Sequence, residues 1–147
     1  KAHLADAKLA LKSQVISKIL FKSQDVLGIG LVGTDGTDNM VHDEVGEGQY
    51  EHVSVVKQMT KATFSSLAAL DAAACSGARG NLVDGLVVAA DAINRFVKKL
   101  KFGKRILFVT DGNGYVDDDA ECLDEIAQSM ANEGIRLTVI GVGLSID

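Results

Sequence analysis

Proline and tryptophan are absent from this sequence, aromatic residues are sparse and cysteine occurs only twice. With so few large rings, alanine, valine, leucine and glycine must fill the core. Cys75 and Cys122 stand far apart and neither belongs to a C-x-x-C pair, which removes support for a zinc site or a redox motif. They read as two buried thiols of a reducing compartment. No apolar run approaches the roughly 18 residues of a membrane span and no charged-then-apolar signal peptide opens the chain, so it reads as intracellular and soluble. Net positive charge is missing too: the formal balance of −5 makes the whole a poor match for the polyanionic surface of nucleic acid. G-x-x-x-x-G-K-[ST] and G-x-S-x-G occur nowhere, which leaves ATP hydrolysis and a serine-hydrolase triad without a motif.

A chain of 147 residues is long enough for one domain with a real core and too short for two, so residues 1–147 read as a single domain. Leu4, Ala7, Leu11, Val15, Ile16 and Ile19 recur at helical spacing and predict an amphipathic helix over Ala2 to Phe21. Val26 to Val32 is almost wholly apolar and has the length of a strand buried on both faces. A loop is expected from Gly33 to Gln49, then a half-exposed edge strand from Tyr50 to Gln58. Lys61 to Ala74 reads as a helix, ended by the surface loop Ser76 to Gly80. Leu82, Leu86, Ala89, Ala90, Ile93, Val97 and Leu100 predict a long helix capped by Asn81. Ile106 to Val109 and Leu137 to Val142 read as two more apolar strands, flanking a helix from Asp117 to Asn132 that Gly134 closes. Apolar strands alternating with amphipathic helices predict an α/β fold, a doubly wound and mostly parallel sheet with helices on both faces. Such a sheet normally begins with a strand that feeds its first helix; the expectation is that a strand is missing upstream.

Residues 28–33 spell G-x-G-x-x-G, but a dinucleotide site needs its glycines at a turn that opens a helix. Gly28 and Gly30 lie inside a strand, and the loop after Gly33 leads to another strand. Asp35, Asp38 and Asn39 carry cation-binding oxygens, yet their spacing departs from an EF-hand loop, and the same residue types are ordinary turn formers. Asp111 sits just past the carboxyl end of an apolar strand, where open α/β sheets bind ligands. Asp117 to Asp119 behind it read as acids offsetting a helix dipole. His3, His42 and His52 assemble into no catalytic pattern. Lys98, Lys99, Lys101, Lys104 and Arg105 form the basic cluster, read as cations at a helix carboxyl end, against the alternative of a phosphate- or partner-binding patch.

Gly33, Thr34, Asp35, Gly36, Thr37, Asp38 and Asn39, together with "YEHVSVVKQM", "NLVDGLVVAADAI" and "KRILFVTDG", resemble a von Willebrand factor A-type domain. The likeness is to the amino-terminal domain of the Ku heterodimer's larger subunit, in which a strand runs into G-T-D-G-T-D-N. The resemblance implies a nuclear protein that pairs with the smaller Ku subunit, binds DNA double-strand-break ends and acts in non-homologous end joining and telomere maintenance. It also implies that a β-barrel region outside this chain encircles the duplex, while the A-type domain docks peptide motifs of end-joining factors. The family carries an ATP-dependent helicase label for which the chain has no motif, so a non-catalytic role is expected. Metal-binding A domains carry D-x-S-x-S after their first strand, a threonine in a second loop and an aspartate in a third. Asp111 matches the third, Gly80-Asn81 stands where the threonine is expected, and Ku-type domains have generally lost the site. No cofactor, magnesium included, is therefore expected. The rival reading is a metal-dependent adhesion-type A domain that holds a divalent cation through Asp111.

Overall fold

The computed structural model describes residues 2–117 and 119–144. Its elements run α1 (Ala2–Phe21), β1 (Val26–Val32), α2 (Met40–Val45), β2 (Val53–Lys61), α3 (Phe64–Ala72), α4 (Leu82–Val97), β3 (Lys104–Thr110), α5 (Ala120–Asn132) and β4 (Ile135–Gly141). The strands form two ladders. β1 pairs antiparallel with β2, and β3 pairs in unbroken parallel register with β4, from Lys104 opposite Ile135 to Thr110 opposite Gly141. The result is an α/β domain with one small antiparallel and one small parallel sheet, consistent with an A-type fold. The described strands do not join into the single, mostly parallel sheet that the alternation of elements predicts.

α4 holds the two ladders together. It packs against β1, β2 and β3, and its Ile93 and Val97 join Ile106 of β3, Met130 of α5 and Ile135 of β4 in the buried cluster. Met59, Leu86, Phe108 and Ile126 pack around that cluster. Fully burying each such side chain contributes about 1.5–3 kcal/mol, so α4 is the element the domain can least spare. The helix ends at Val97 rather than Leu100, because Lys98 turns into the left-handed region at φ 51° while its N–H donates to the Asn94 carbonyl. Leu100 is thereby left exposed.

Several boundaries move for local reasons. α2 lies inside the stretch expected to be loop, started by Asn39, whose side-chain oxygen accepts from the His42 N–H at 2.8 Å. β2 begins three residues late and runs on to Lys61, which shortens the following helix to Phe64–Ala72. α5 starts at Ala120, so Asp117 precedes the helix, and Asp119 is its cap, accepting from the Cys122 N–H at 2.8 Å; Asp118 lies outside the described residues. Cys75 is exposed and Cys122 half-buried, contrary to the expectation of two buried thiols.

β1 also departs from expectation. None of its residues is buried, and Gly28 and Gly30 are exposed, although the strand carries no polar side chain. Its register against β2 shifts between Leu27 and Ile29 and again before Gly30, as glycine inside a strand often signals. A Cβ on Gly28 would stand 2.9 Å from the Met59 sulfur, whereas one on Gly30 would meet only the Ser54 carbonyl at 3.9 Å. Close packing therefore constrains Gly28 and not Gly30. Among the described residues, no helix is long and apolar enough to cross a membrane.

Candidate functional site

The heptapeptide Gly33–Asn39 follows β1 directly, and its hydroxyls and its asparagine amide are committed to the backbone around it. Gly33 turns with φ 81°, and its N–H and that of Thr34 both donate to the His52 carbonyl, at 2.7 and 3.1 Å. The Thr34 hydroxyl donates to the Gly36 carbonyl at 2.6 Å and lies 3.0 Å from the Ser54 hydroxyl. Thr37 Oγ1 accepts from the His52 N–H at 2.9 Å, and the His52 ring returns to the Thr34 carbonyl through Nδ1 at 2.8 Å. A carbonyl only accepts, so that nitrogen carries the proton. Asp38 adds a bridge to β2: its N–H donates to Val53 and its carbonyl accepts from Val55. Asn39 is 3% exposed and uses its whole amide, donating to the carbonyls of Tyr50 and Val53 while capping α2.

The loop is thus a clasp that ties the exit of β1 to the entrance of β2. Its closure also holds the 76–80 segment, since Ser76 Oγ donates to the Gly33 carbonyl. A Cβ on Gly80 would stand 2.6 Å from both the Gly33 nitrogen and Val32 Cγ1, so the two backbones meet there and only glycine fits. Two acidic residues of the loop, Asp35 and Asp38, are exposed. Beside them an open cleft of about 340 Å³ is lined by Leu31, Thr34, Asp35, Val56, Ala69 and Ala73, among others. Small alanine side chains on α3 leave room for an apolar group.

The carboxyl end of β3 is the second place to consider. Asp111 follows Thr110 and accepts from the Asn113 N–H at 3.0 Å. Hydrogen bonds from Asn113, with a smaller contribution from the charge of His3, hold its carboxyl below the usual carboxylate range. Asn81, in the second-loop position, is 4% exposed; its oxygen accepts from the Val83 N–H and its amide donates to the Asp117 carboxylate. The groups that would have to turn toward a cation beside Asp111 are therefore bonded to each other. Among the described residues, no group of three or more His, Cys, Asp or Glu side chains is placed to hold a metal ion.

The basic cluster divides. Lys98 and Lys99 follow the end of α4, but Lys104 and Arg105 belong to β3, so a helix-dipole role covers only the first two. Lys104 donates to Asn94 Oδ1 at 3.1 Å and is half-buried. Lys98, Lys99, Lys101 and Arg105 are exposed, next to Phe96 and Phe102, whose rings stand 6.3 Å apart.

Comparison with known proteins adds what geometry alone does not. The family described as Ku70/Ku80 N-terminal alpha/beta domain matches residues 1–145. The chain is 34% identical over 131 residues to "ATP-dependent DNA helicase II subunit 2" of Neurospora crassa, a match that covers 86% of this chain and 18% of that protein. It is 30% identical over 141 residues to "X-ray repair cross-complementing protein 5" of Dictyostelium discoideum, covering 96% of this chain and 17% of that protein. A Chaetomium globosum protein with the same name as the Neurospora one is 34% identical over 131 residues, 86% of this chain and 17% of its own length. The chain therefore spans less than a fifth of each of these relatives.

Proposed function

The chain belongs to the Ku70/Ku80 N-terminal alpha/beta domain family, and from that membership we propose that it is the non-catalytic, protein-docking domain of a Ku-type heterodimer. The whole assembly would bind DNA double-strand-break ends in the nucleus and act in non-homologous end joining and telomere maintenance. Its other subunit and the duplex would be held by regions outside these residues. The observation that carries the reading is the family match over residues 1–145. Two features support the docking role over DNA gripping or catalysis. The net charge is −5, which disfavours direct contact with a polyanion, and the Thr34 and Thr37 hydroxyls and the Asn39 amide of the heptapeptide are spent on backbone bonds rather than held ready for chemistry.

The cleft beside that heptapeptide is where we place the docked peptide. Its alanine-lined floor suits one apolar side chain, and Asp35 at its margin suits a basic flank. The partner would be a short peptide of an end-joining factor that carries an apolar anchor next to lysine or arginine. Capture of such peptides by the assembled heterodimer tests this. Ala69→Arg, which fills the cleft and repels a basic flank, is expected to weaken capture by roughly tenfold or more, about 1.4 kcal/mol. Failure of the unaltered heterodimer to capture any such peptide, or equal capture by the variant, would reject the assignment.

A further inference from the structure

The stretch that joins α4 to β3 interleaves basic and apolar side chains. From Phe96 to Arg105 the sequence reads F-V-K-K-L-K-F-G-K-R, and Lys98 to Gly103 lie between the two elements. The connector is fixed rather than loose: the Lys98 N–H donates to the Asn94 carbonyl and the Leu100 N–H to the Val97 carbonyl, both at 2.9 Å, and the Phe102 ring meets that of Phe96. Leu100 is nevertheless 64% exposed and Phe102 51%. Two large apolar groups are thus held out into solvent beside Lys98, Lys99 and Lys101, all three exposed.

The cations at this end of the domain also lack partners. Elsewhere Lys12 and Lys18 are ion-paired with Asp71 and Asp25, and Arg95 is held by both Glu44 and Asp91. Lys98, Lys99, Lys101, Arg105 and Arg136 make no ion pair or side-chain hydrogen bond among the described residues. Arg105 stands opposite Arg136 in the β3–β4 register, and both are exposed. Like charges set opposite one another on neighbouring strands repel. No carboxylate bridges this pair among the described residues, for Glu133, at the end of α5, is taken by Asn94 and Ser129.

We propose that this end of the domain docks a second kind of peptide, acidic and apolar, in which aspartate or glutamate alternates with leucine or aromatic residues. Each part of the surface selects a part of that partner. Lysine and arginine without internal partners call for carboxylates, and the fixed, exposed Leu100 and Phe102 call for apolar anchors between them. A partner carboxylate at Arg105 and Arg136 relieves their repulsion. Two observations favour a peptide over single-stranded nucleic acid. A nucleic-acid platform offers open ring faces for stacking, whereas Phe96 and Phe102 are turned against each other at 47°. A net charge of −5 also opposes a long polyanion more than a few carboxylates. The surface is distinct from the cleft beside Asp35, whose acidic margin suits a basic flank, and it does not depend on that assignment.

Fluorescence anisotropy tests this with the assembled heterodimer, saturated with a short hairpin duplex so that its DNA-binding regions are occupied. The probe is a labelled synthetic peptide that alternates glutamate with leucine and phenylalanine, measured at about 0.15 M ionic strength, where exposed charges are screened beyond about 8 Å. The unaltered heterodimer should bind it. Leu100→Ser combined with Phe102→Ser, which keeps every charge, should weaken binding roughly tenfold or more. Reversing Lys98, Lys99 and Lys101 to glutamate should do the same, while Ala69→Arg in the cleft should change nothing, so that failure of either surface is read separately. Three results would overturn the proposal: no binding by the unaltered heterodimer, binding that survives the serine substitutions and so is unspecific charge attraction, or loss of binding in Ala69→Arg. A DNA-end affinity or salt slope that falls with the lysine reversal while peptide binding is untouched would overturn it in favour of nucleic acid.

Discussion

Asn39 concentrates more structure in one side chain than any other residue of the Gly33–Asn39 heptapeptide. Buried and fully bonded, it caps α2 and pins the carbonyls of Tyr50 and Val53, so Asn39→Ala should cost about 2–4 kcal/mol in denaturant unfolding. A loss under about 1 kcal/mol would show that the clasp is not a structural lock. In β1, Gly28→Val forces Met59 aside and should cost about 1–3 kcal/mol, while Gly30→Ala has room in this structure and should stay within about 0.5 kcal/mol. Equal effects at the two glycines would contradict the packing described. Asp111 has a lowered pKa in the folded domain, so its contribution to stability is present above the unfolded carboxylate value near about pH 4 and is lost as pH falls through the folded value. Asp111→Asn should therefore lower the urea midpoint near neutral pH and leave it unchanged in strong acid, below the folded value, as a comparison of the two conditions will show. Titration calorimetry with magnesium should give no heat with either form, since Asn81 and Asp117 satisfy each other; heat that Asp111→Asn abolishes would restore the adhesion-type reading.

Elements are legible in the sequence wherever one local signal dominates. The 3–4 spacing places α1 and most of α4, and β1 is legible to the residue, because apolar periodicity needs no tertiary information. The short α2 escapes, as its six residues have no buried face and its one sequence signal is the capping Asn39. Strand burial escapes for the opposite reason: whether β1 is covered depends on neighbours, and here β2 is its one hydrogen-bonded neighbour strand among the described residues. The candidate sites are only half legible. The Gly33–Asn39 run is recognisable as a turn from its residue types, but its bonds to His52, Ser54 and Tyr50 come from β2 and the turn before it, which no local pattern announces. The basic run shows the same limit, for its five residues divide among a helix end, the connector that holds Lys101, and β3. Reversing the charges of Lys98, Lys99 and Lys101 together in the assembled heterodimer should leave both the affinity for DNA ends and its salt dependence unchanged. A salt slope reduced by about one per lost lysine would place this face on the phosphate backbone.

At the scale of the whole molecule, this acidic α/β domain has relatives about five times its length. Its place among Ku N-terminal domains rests on the match over residues 1–145, and the docking task proposed for it rests on what its surface suits. Net charge works against gripping DNA, the clasp at Gly33–Asn39 holds strands rather than substrates, and the alanine-lined cleft beside it leaves room for a side chain from elsewhere. The proposed function separates two activities of the heterodimer, assigning peptide docking to this domain and DNA-end binding to the remainder. The most direct test is to titrate the heterodimer, with and without this domain, against a basic, apolar end-joining peptide and against a DNA end. Deleting the domain should abolish peptide binding and change DNA-end affinity by less than about twofold, under about 0.5 kcal/mol. Retained peptide binding, or a loss of DNA-end affinity of roughly tenfold or more, would contradict that separation.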